Sequence, residues 1–173
     1  MDAATASSGV VADELDEFVS LHYQRLVGLL VLRLKSRVSA EDVAHESLLK
    51  LVKHWDRVRL MDNPWAWLAT VAINQSRSRW RRSAMADRVE RRLVASGEAV
   101  ADSEGLADLL SVIGRLPDRQ RTALLLRHYA RLSVRETAEA MGCAEGTVKS
   151  LTNRAIERLR SELAEEVDHA IDS

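Results

Sequence analysis

Lys149, Ser150, Asn153 and Arg154 stand at short spacings in "EGTVKSLTNRAIERL", where Val148, Leu151 and Ile156 supply the apolar positions of a helix. If that helix runs from about Glu145 to Leu159, the four polar residues lie around its outer face. They are residue types that read a DNA groove: lysine and arginine reach guanine edges or phosphates, asparagine pairs with adenine, and serine serves either. Thr147 and the helix N-terminus suit a phosphate oxygen. The chemistry is recognition through hydrogen bonds, with no bond made or broken.

An element must hold such a helix at an angle to its support. Directly upstream, Ser133 and Glu136 form the Ser-x-x-Glu pattern of a capping box, which fixes the start of a preceding helix. Gly142 can adopt the left-handed conformation that ends it. Ala138, Met141 and Val148 then supply apolar contacts between the two, which predicts a helix-turn-helix. A helical hairpin with a polar face also occurs in proteins that bind nothing, so the charge distribution has to decide.

The formal net charge is −1, but the charges are segregated. Both ends are acidic: residues 1–20 carry five carboxylates and no lysine or arginine, and so do residues 161–173. Residues 74–92 hold seven arginines against Asp87 and Glu90, and residues 115–160 hold ten basic side chains against five acidic ones. Each balance is +5. Two basic surfaces on a nearly neutral chain fit a long polyanion gripped twice.

The 173 residues are 46% hydrophobic, enough for one ordinary domain or two small ones, and rich in Ala, Leu, Val and Arg. An all-α protein follows. Apolar residues recur at helical steps from Leu15 to Leu30, from Val43 to Trp55 and through "NPWAWLATVAINQ", predicting three helices, with starts near Ser39 and at Pro64. Residues 83–105 lack a regular apolar period and read as a flexible linker. Leu109, Leu110, Ile113 and Leu116 open a second helical domain, followed by "DRQRTALLLRHYARL" and the helix-turn-helix. The expected division is an acidic N-terminus over 1–12, a helical domain over 13–82, the linker, a second domain over 106–163 and an acidic tail over 164–173.

Other chemistry finds little support. Cys143 is the single cysteine, so intrachain disulfides and cysteine-based zinc clusters are excluded. His22, His45 and His54 with Glu41 and Glu46 do not give the paired Glu-x-x-His motifs of a bundle metal site. No nucleophile or glycine-rich signature is present, so neither an enzyme nor a cofactor is expected. No apolar run approaches the roughly 18 residues of a spanning helix, and a cytoplasmic protein without membrane insertion is expected.

Three segments in order, "AEDVAHESLLKLVKHWD", "NPWAWLATVAINQSRSRWRR" and "LPDRQRTALLLRHYARLSVRETAEAMGCAEGTVKSLTNRAIERLR", resemble the signature regions of bacterial RNA polymerase sigma factors of the extracytoplasmic-function group. The resemblance spans roughly residues 13–163. It implies a subunit that binds core RNA polymerase through its first domain, opens the minus-10 element of promoter DNA, and reads the minus-35 duplex with its helix-turn-helix. It places polymerase contacts at Asp42, His45, Glu46 and Val52, a minus-10 base contact at Asn74, and phosphate contacts at Arg77, Arg79, Arg81 and Arg82. The loop Asp56 to Asn63 would receive a flipped base. Thr147, Lys149, Ser150, Asn153 and Arg154 would serve the minus-35 element.

An anti-sigma protein is the further partner the resemblance implies. The chain departs from the family pattern at His45 and Leu48, where glutamine and an aromatic are usual, at Ser78 for aspartate, at Ala144 for a capping serine, and at Leu151-Thr152 for Arg-Leu. Trp65 and Trp67 are expected in the core, and Trp80 partly so. The rival reading is a stand-alone helix-turn-helix regulator, which explains the basic surfaces but leaves "EDVAHESLLKLVKHWD" without a reason.

Overall fold

The computed structural model describes the backbone of residues 3–90 and 104–171 and the side chains of residues 11–78 and 109–164. Capping groups divide the first half into α1 (Ala3–Leu34), α2 (Arg37–Val58) and α3 (Pro64–Glu90). Lys35 turns the chain after α1 with a left-handed φ of 58°. Ser36, in extended conformation, then caps α2 by accepting a hydrogen bond from the Ser39 amide at 3.3 Å. The sequence placed that start at Ser39; Ser36 takes the role because its own φ leaves the helix first. Pro64 opens α3 as expected, with Asn63 Oδ1 accepting from the Ala66 amide at 3.1 Å.

These helices bury one apolar face each. Leu26, Leu29 and Leu30 of α1, Val43 and Leu51 of α2, and Leu68 of α3 are fully enclosed. Burying each such side chain contributes about 1.5–3 kcal/mol. Ala40 and Ala44 on α2 and Ala69 and Ala72 on α3 are also enclosed, small enough for the helix backbones to approach. Trp65 is buried as expected, and Trp67 is half-buried against the edge of His54.

The second half comprises α4 (Glu104–Arg115), α5 (Asp118–Leu124), α6 (Val134–Met141) and α7 (Glu145–Ile171). Among the described residues there is no strand, and the fold is all-α. Helix α3 runs beyond residue 83 and α7 beyond residue 164, so part of the expected linker and tail is helical. Residues 91–103 of that linker lie outside the described residues.

A widened turn joins the halves. After α5 the chain forms a π-helical segment, Leu125–Tyr129, closed by a hydrogen bond from the Ala130 amide to the Leu125 carbonyl at 2.8 Å. Arg131 then bends it with a φ of 55°. The Ala130 carbonyl is thereby left to accept from Arg25 Nη2 at 2.7 Å and Trp65 Nε1 at 2.9 Å. Arg25 itself lies over the Trp65 ring, 4.4 Å from its centre. Apolar side chains follow the same path: Leu110, Ile113, Leu125, Leu126 and Leu132 share one buried cluster with α1, α2 and α3. Leu116, Leu124 and Ala155 form a smaller cluster under α7.

Candidate nucleic-acid and protein interface

The capping box at the start of α6 is complete. Ser133 Oγ accepts from the Glu136 amide at 3.1 Å, and the Ser133 amide donates to Glu136 Oε2 at 2.7 Å. Burial pushes the Glu136 carboxyl up, but hydrogen bonds from Ser133 and Asn63 and the charge of Arg135 outweigh it and hold the group below its usual range. Gly142 ends α6 at φ 60°, ψ 46°, in the left-handed region that favours glycine.

Helix α7 starts without a side-chain acceptor at Ala144, whose carbonyl takes the Thr147 and Val148 amides at 2.9 and 3.2 Å. Val148, Thr152 and Ala155 point into the protein. Thr147, Lys149, Ser150, Asn153 and Arg154 are all exposed, so the structure brings the five predicted readers onto the outward side of one helix. The direction follows from the buried positions, which recur every three or four residues and leave the intervening side chains to solvent.

On α2, Asp42, His45, Glu46 and Val52 are exposed together. At 3.6 residues per turn they occupy about a third of the helix circumference. The same arc contains Val38 and Leu49, 59% and 64% exposed, which the sequence reading passed over. Leu49 sits between the two halves of the predicted patch, a spacing that could have revealed it. His45 Nε2 lies 3.2 Å from Tyr23 Oη, and Glu46 accepts from Gln75 Nε2 at 3.4 Å, so α1 and α3 orient both side chains.

The predicted minus-10 residues are divided. Asn74 is exposed on α3, with Ser78 Oγ donating to its backbone carbonyl at 3.2 Å. Arg77, in contrast, is drawn to α5, its Nε 3.5 Å from Asp118 Oδ2. Arg79, Arg81 and Arg82 belong to α3, but their side chains, like that of Trp80, lie outside the described residues. Asp56 is still within α2, so the loop between α2 and α3 is shorter than predicted, running from Arg59 to Asn63. Asn63 Nδ2 donates to Glu136 Oε1 at 2.6 Å. Between this loop and α6 lies a cavity of about 380 Å³, lined by Met61, Asn63, Trp67, Thr70, Arg135 and Glu136 among others.

Sequence comparison accounts for both halves. Residues 18–85 match the family described as Sigma-70 region 2, and residues 106–159 the one described as Sigma-70, region 4. The RNA polymerase sigma-E factor of Streptomyces avermitilis is 32% identical over 87% of this chain and 85% of its own. This chain belongs to the sigma-70 family, in its extracytoplasmic-function group. A sigma-E factor from Streptomyces antibioticus is 36% identical over 73% of this sigma factor and 71% of that protein.

Among solved structures, the sigma factor RpoE of Bartonella quintana, in complex with the anti-sigma factor NepR, superposes with a TM-score of 0.76. It shares 26% identity and covers 87% of this chain and 97% of its own. CnrH, solved with the cytosolic domain of CnrY, shares the fold of this sigma factor at a TM-score of 0.66 and 24% identity, over 94% of this chain and 95% of that one. The match across both halves does not favour a stand-alone regulator. Among the described residues no helix is long and apolar enough to cross a membrane.

Proposed function

We infer that this sigma factor binds core RNA polymerase and directs promoter-specific initiation of transcription. The observation that carries the reading is the outward face of α7, held by a fully capped α6, in a chain whose other half matches sigma region 2. Its action is binding and strand separation: contacts made only to the opened strand stabilise the opened state, and no covalent change is needed. It works where RNA polymerase works, in the cell interior.

Residue roles follow from exposure and residue type. Asp42, His45, Glu46 and Val52, with Leu49, form the polymerase-facing surface of α2, a polar rim around an apolar centre. Asn74 reads an unstacked minus-10 base, while Arg77, Arg79, Arg81 and Arg82 hold backbone phosphates. Thr147, Lys149, Ser150, Asn153 and Arg154 contact the minus-35 duplex. The functional units are 13–82 and 106–163, with 83–105 as the joint and acidic segments at 1–12 and 164–173. The structure of RpoE bound to NepR supports an anti-sigma protein as a further partner.

The test is comigration of the purified chain with core RNA polymerase, compared with Leu49→Asp and Val52→Asp. A charge in the centre of an apolar contact is expected to cost 2 kcal/mol or more, about a thirtyfold loss of affinity. Undiminished comigration of both variants would remove α2 from the polymerase interface.

A further inference from the structure

We propose that the cavity between α1 and α5 is a binding site for a small phosphate-bearing anion, of the size and charge of diphosphate. The cavity measures about 410 Å³ and is lined by Arg33, Lys35, Ser76, Gly114, Asp118 and Arg121. Its walls come from α1, α3, α4 and α5, and therefore from both halves of the molecule. Ordinary ligand pockets begin at about 300 Å³.

The charges do not balance. Arg33 is only 6% exposed, and its guanidinium reaches Asp118 Oδ1, while Arg77 Nε lies 3.5 Å from Asp118 Oδ2. Arg121 donates through Nη2 to the carbonyls of Gly114 and Leu116, both at 3.0 Å, and through Nη1 to that of Arg33 at 3.4 Å. One carboxylate thus stands against three arginines, and Lys35 adds a further positive charge to the lining. Of the arginines that line the cavity, Arg33 and Arg121 each bury an Nε–H that makes no hydrogen bond. Burial, then the charge of Arg33, lowers the pKa of Arg121, and Asp118 offsets only part of this. A buried N–H group without an acceptor and an excess of positive charge are both costly, and an oxyanion is the ligand that supplies both charge and lone pairs.

Local backbone keeps the space open. Lys35 holds its left-handed turn at the rim, and its ammonium lies against Gly114, where a Cβ would overlap it. Ser76 turns its hydroxyl away, donating to the Ile73 carbonyl at 2.7 Å. Because the walls come from both halves, an anion bound here favours their closed arrangement over a separated one.

Titrating the full-length protein with inorganic diphosphate at constant ionic strength, followed by Tm and by calorimetry, tests the site. A saturable rise in Tm of about 2–4 °C is expected, as for any ligand bound by the folded state alone. Lys35→Ala, an exposed position that leaves the core intact, is expected to weaken diphosphate about tenfold. Arg121→Gln is expected to weaken it further, whereas Arg154→Ala on α7 leaves it unchanged. Tighter binding of a nucleoside diphosphate than of diphosphate would identify a nucleotide as the source, and equal binding a free phosphoanion. No effect beyond that of sodium chloride, as expected if water fills the cavity, would overturn the proposal. So would a diphosphate effect that Lys35→Ala and Arg121→Gln leave intact while Arg154→Ala removes it.

Discussion

The five exposed residues of α7 and Asn74 on α3 are asked to do different work, and substitution separates the two tasks. Lys149→Ala or Arg154→Ala is expected to remove a proposed contact to the minus-35 duplex, at about 1–3 kcal/mol for a base-edge pair. Binding to that duplex is expected to weaken about five- to 150-fold, with polymerase affinity unchanged; fluorescence anisotropy and comigration check the two arms. Asn74→Ala is expected to preserve the closed promoter complex and impair opening, which permanganate reactivity of unpaired thymines reports. That the five α7 positions share an outward face was legible because their spacing and that of the buried residues between them agree. Leu49 and Asn63 were less so: Leu49 is a large apolar side chain on the outward face, where a leucine does not by itself signal a contact, and the bond from Asn63 to Glu136 joins residues far apart in the chain.

Helix boundaries were legible where a cap uses a distinctive residue pair. Ser133 with Glu136, Gly142 and Pro64 each mark an end that the structure reproduces. The start of α2 was misplaced because Ser36 and Ser39 offer the same hydroxyl, and only the backbone conformation tells which one caps. Ser133→Ala is expected to destabilise α6 by about 1 kcal/mol, measured as lost amide protection over Val134–Met141.

The Glu136 half of the box depends on pH. Its carboxyl is held below the ordinary 4.5, so the stability it adds is fully present above that value and is lost as pH falls through the lowered pKa. His22 gives a second acid-side loss, nearer neutrality. It stacks on Trp65, and burial, then the charge of Arg25, lowers its pKa below 6.5. The folded state therefore resists protonating it, and stability falls as pH drops from 6.5 through that lowered pKa. Thermal melts between pH 7.5 and 5 are expected to show a decline that His22→Gln flattens; an unchanged slope in that variant would place its cause elsewhere.

At the scale of the molecule, the closeness of the two halves was the least legible feature. Part of it rests on backbone acceptors, above all the Ala130 carbonyl freed by the π turn, which leave no side-chain pattern in a sequence, and part on apolar and charged partners far apart in the chain, such as Leu126 against the first three helices and Asp118 with Arg33. The contact also engages residues assigned to DNA: Asp118 holds Arg77, and Glu136 holds Asn63. On the proposed DNA roles, loading onto a promoter is expected to release them. Gly28 makes the arrangement sensitive to a single atom, because a Cβ there would overlap the Tyr129 hydroxyl. Gly28→Ala is expected to separate the halves and raise affinity for minus-35 duplex; a distance probe on the two halves and a binding isotherm read both effects.

Promoter-directed initiation is tested most directly by adding the purified chain to core RNA polymerase with genomic DNA and sequencing the 5′ ends of the transcripts. Initiation at sites sharing a two-part motif, one element near minus-35 and one near minus-10, absent without the chain and lost with Asn74→Ala, is the predicted result. Transcript ends that do not change when the chain is added, while it still binds duplex DNA on its own, would contradict it.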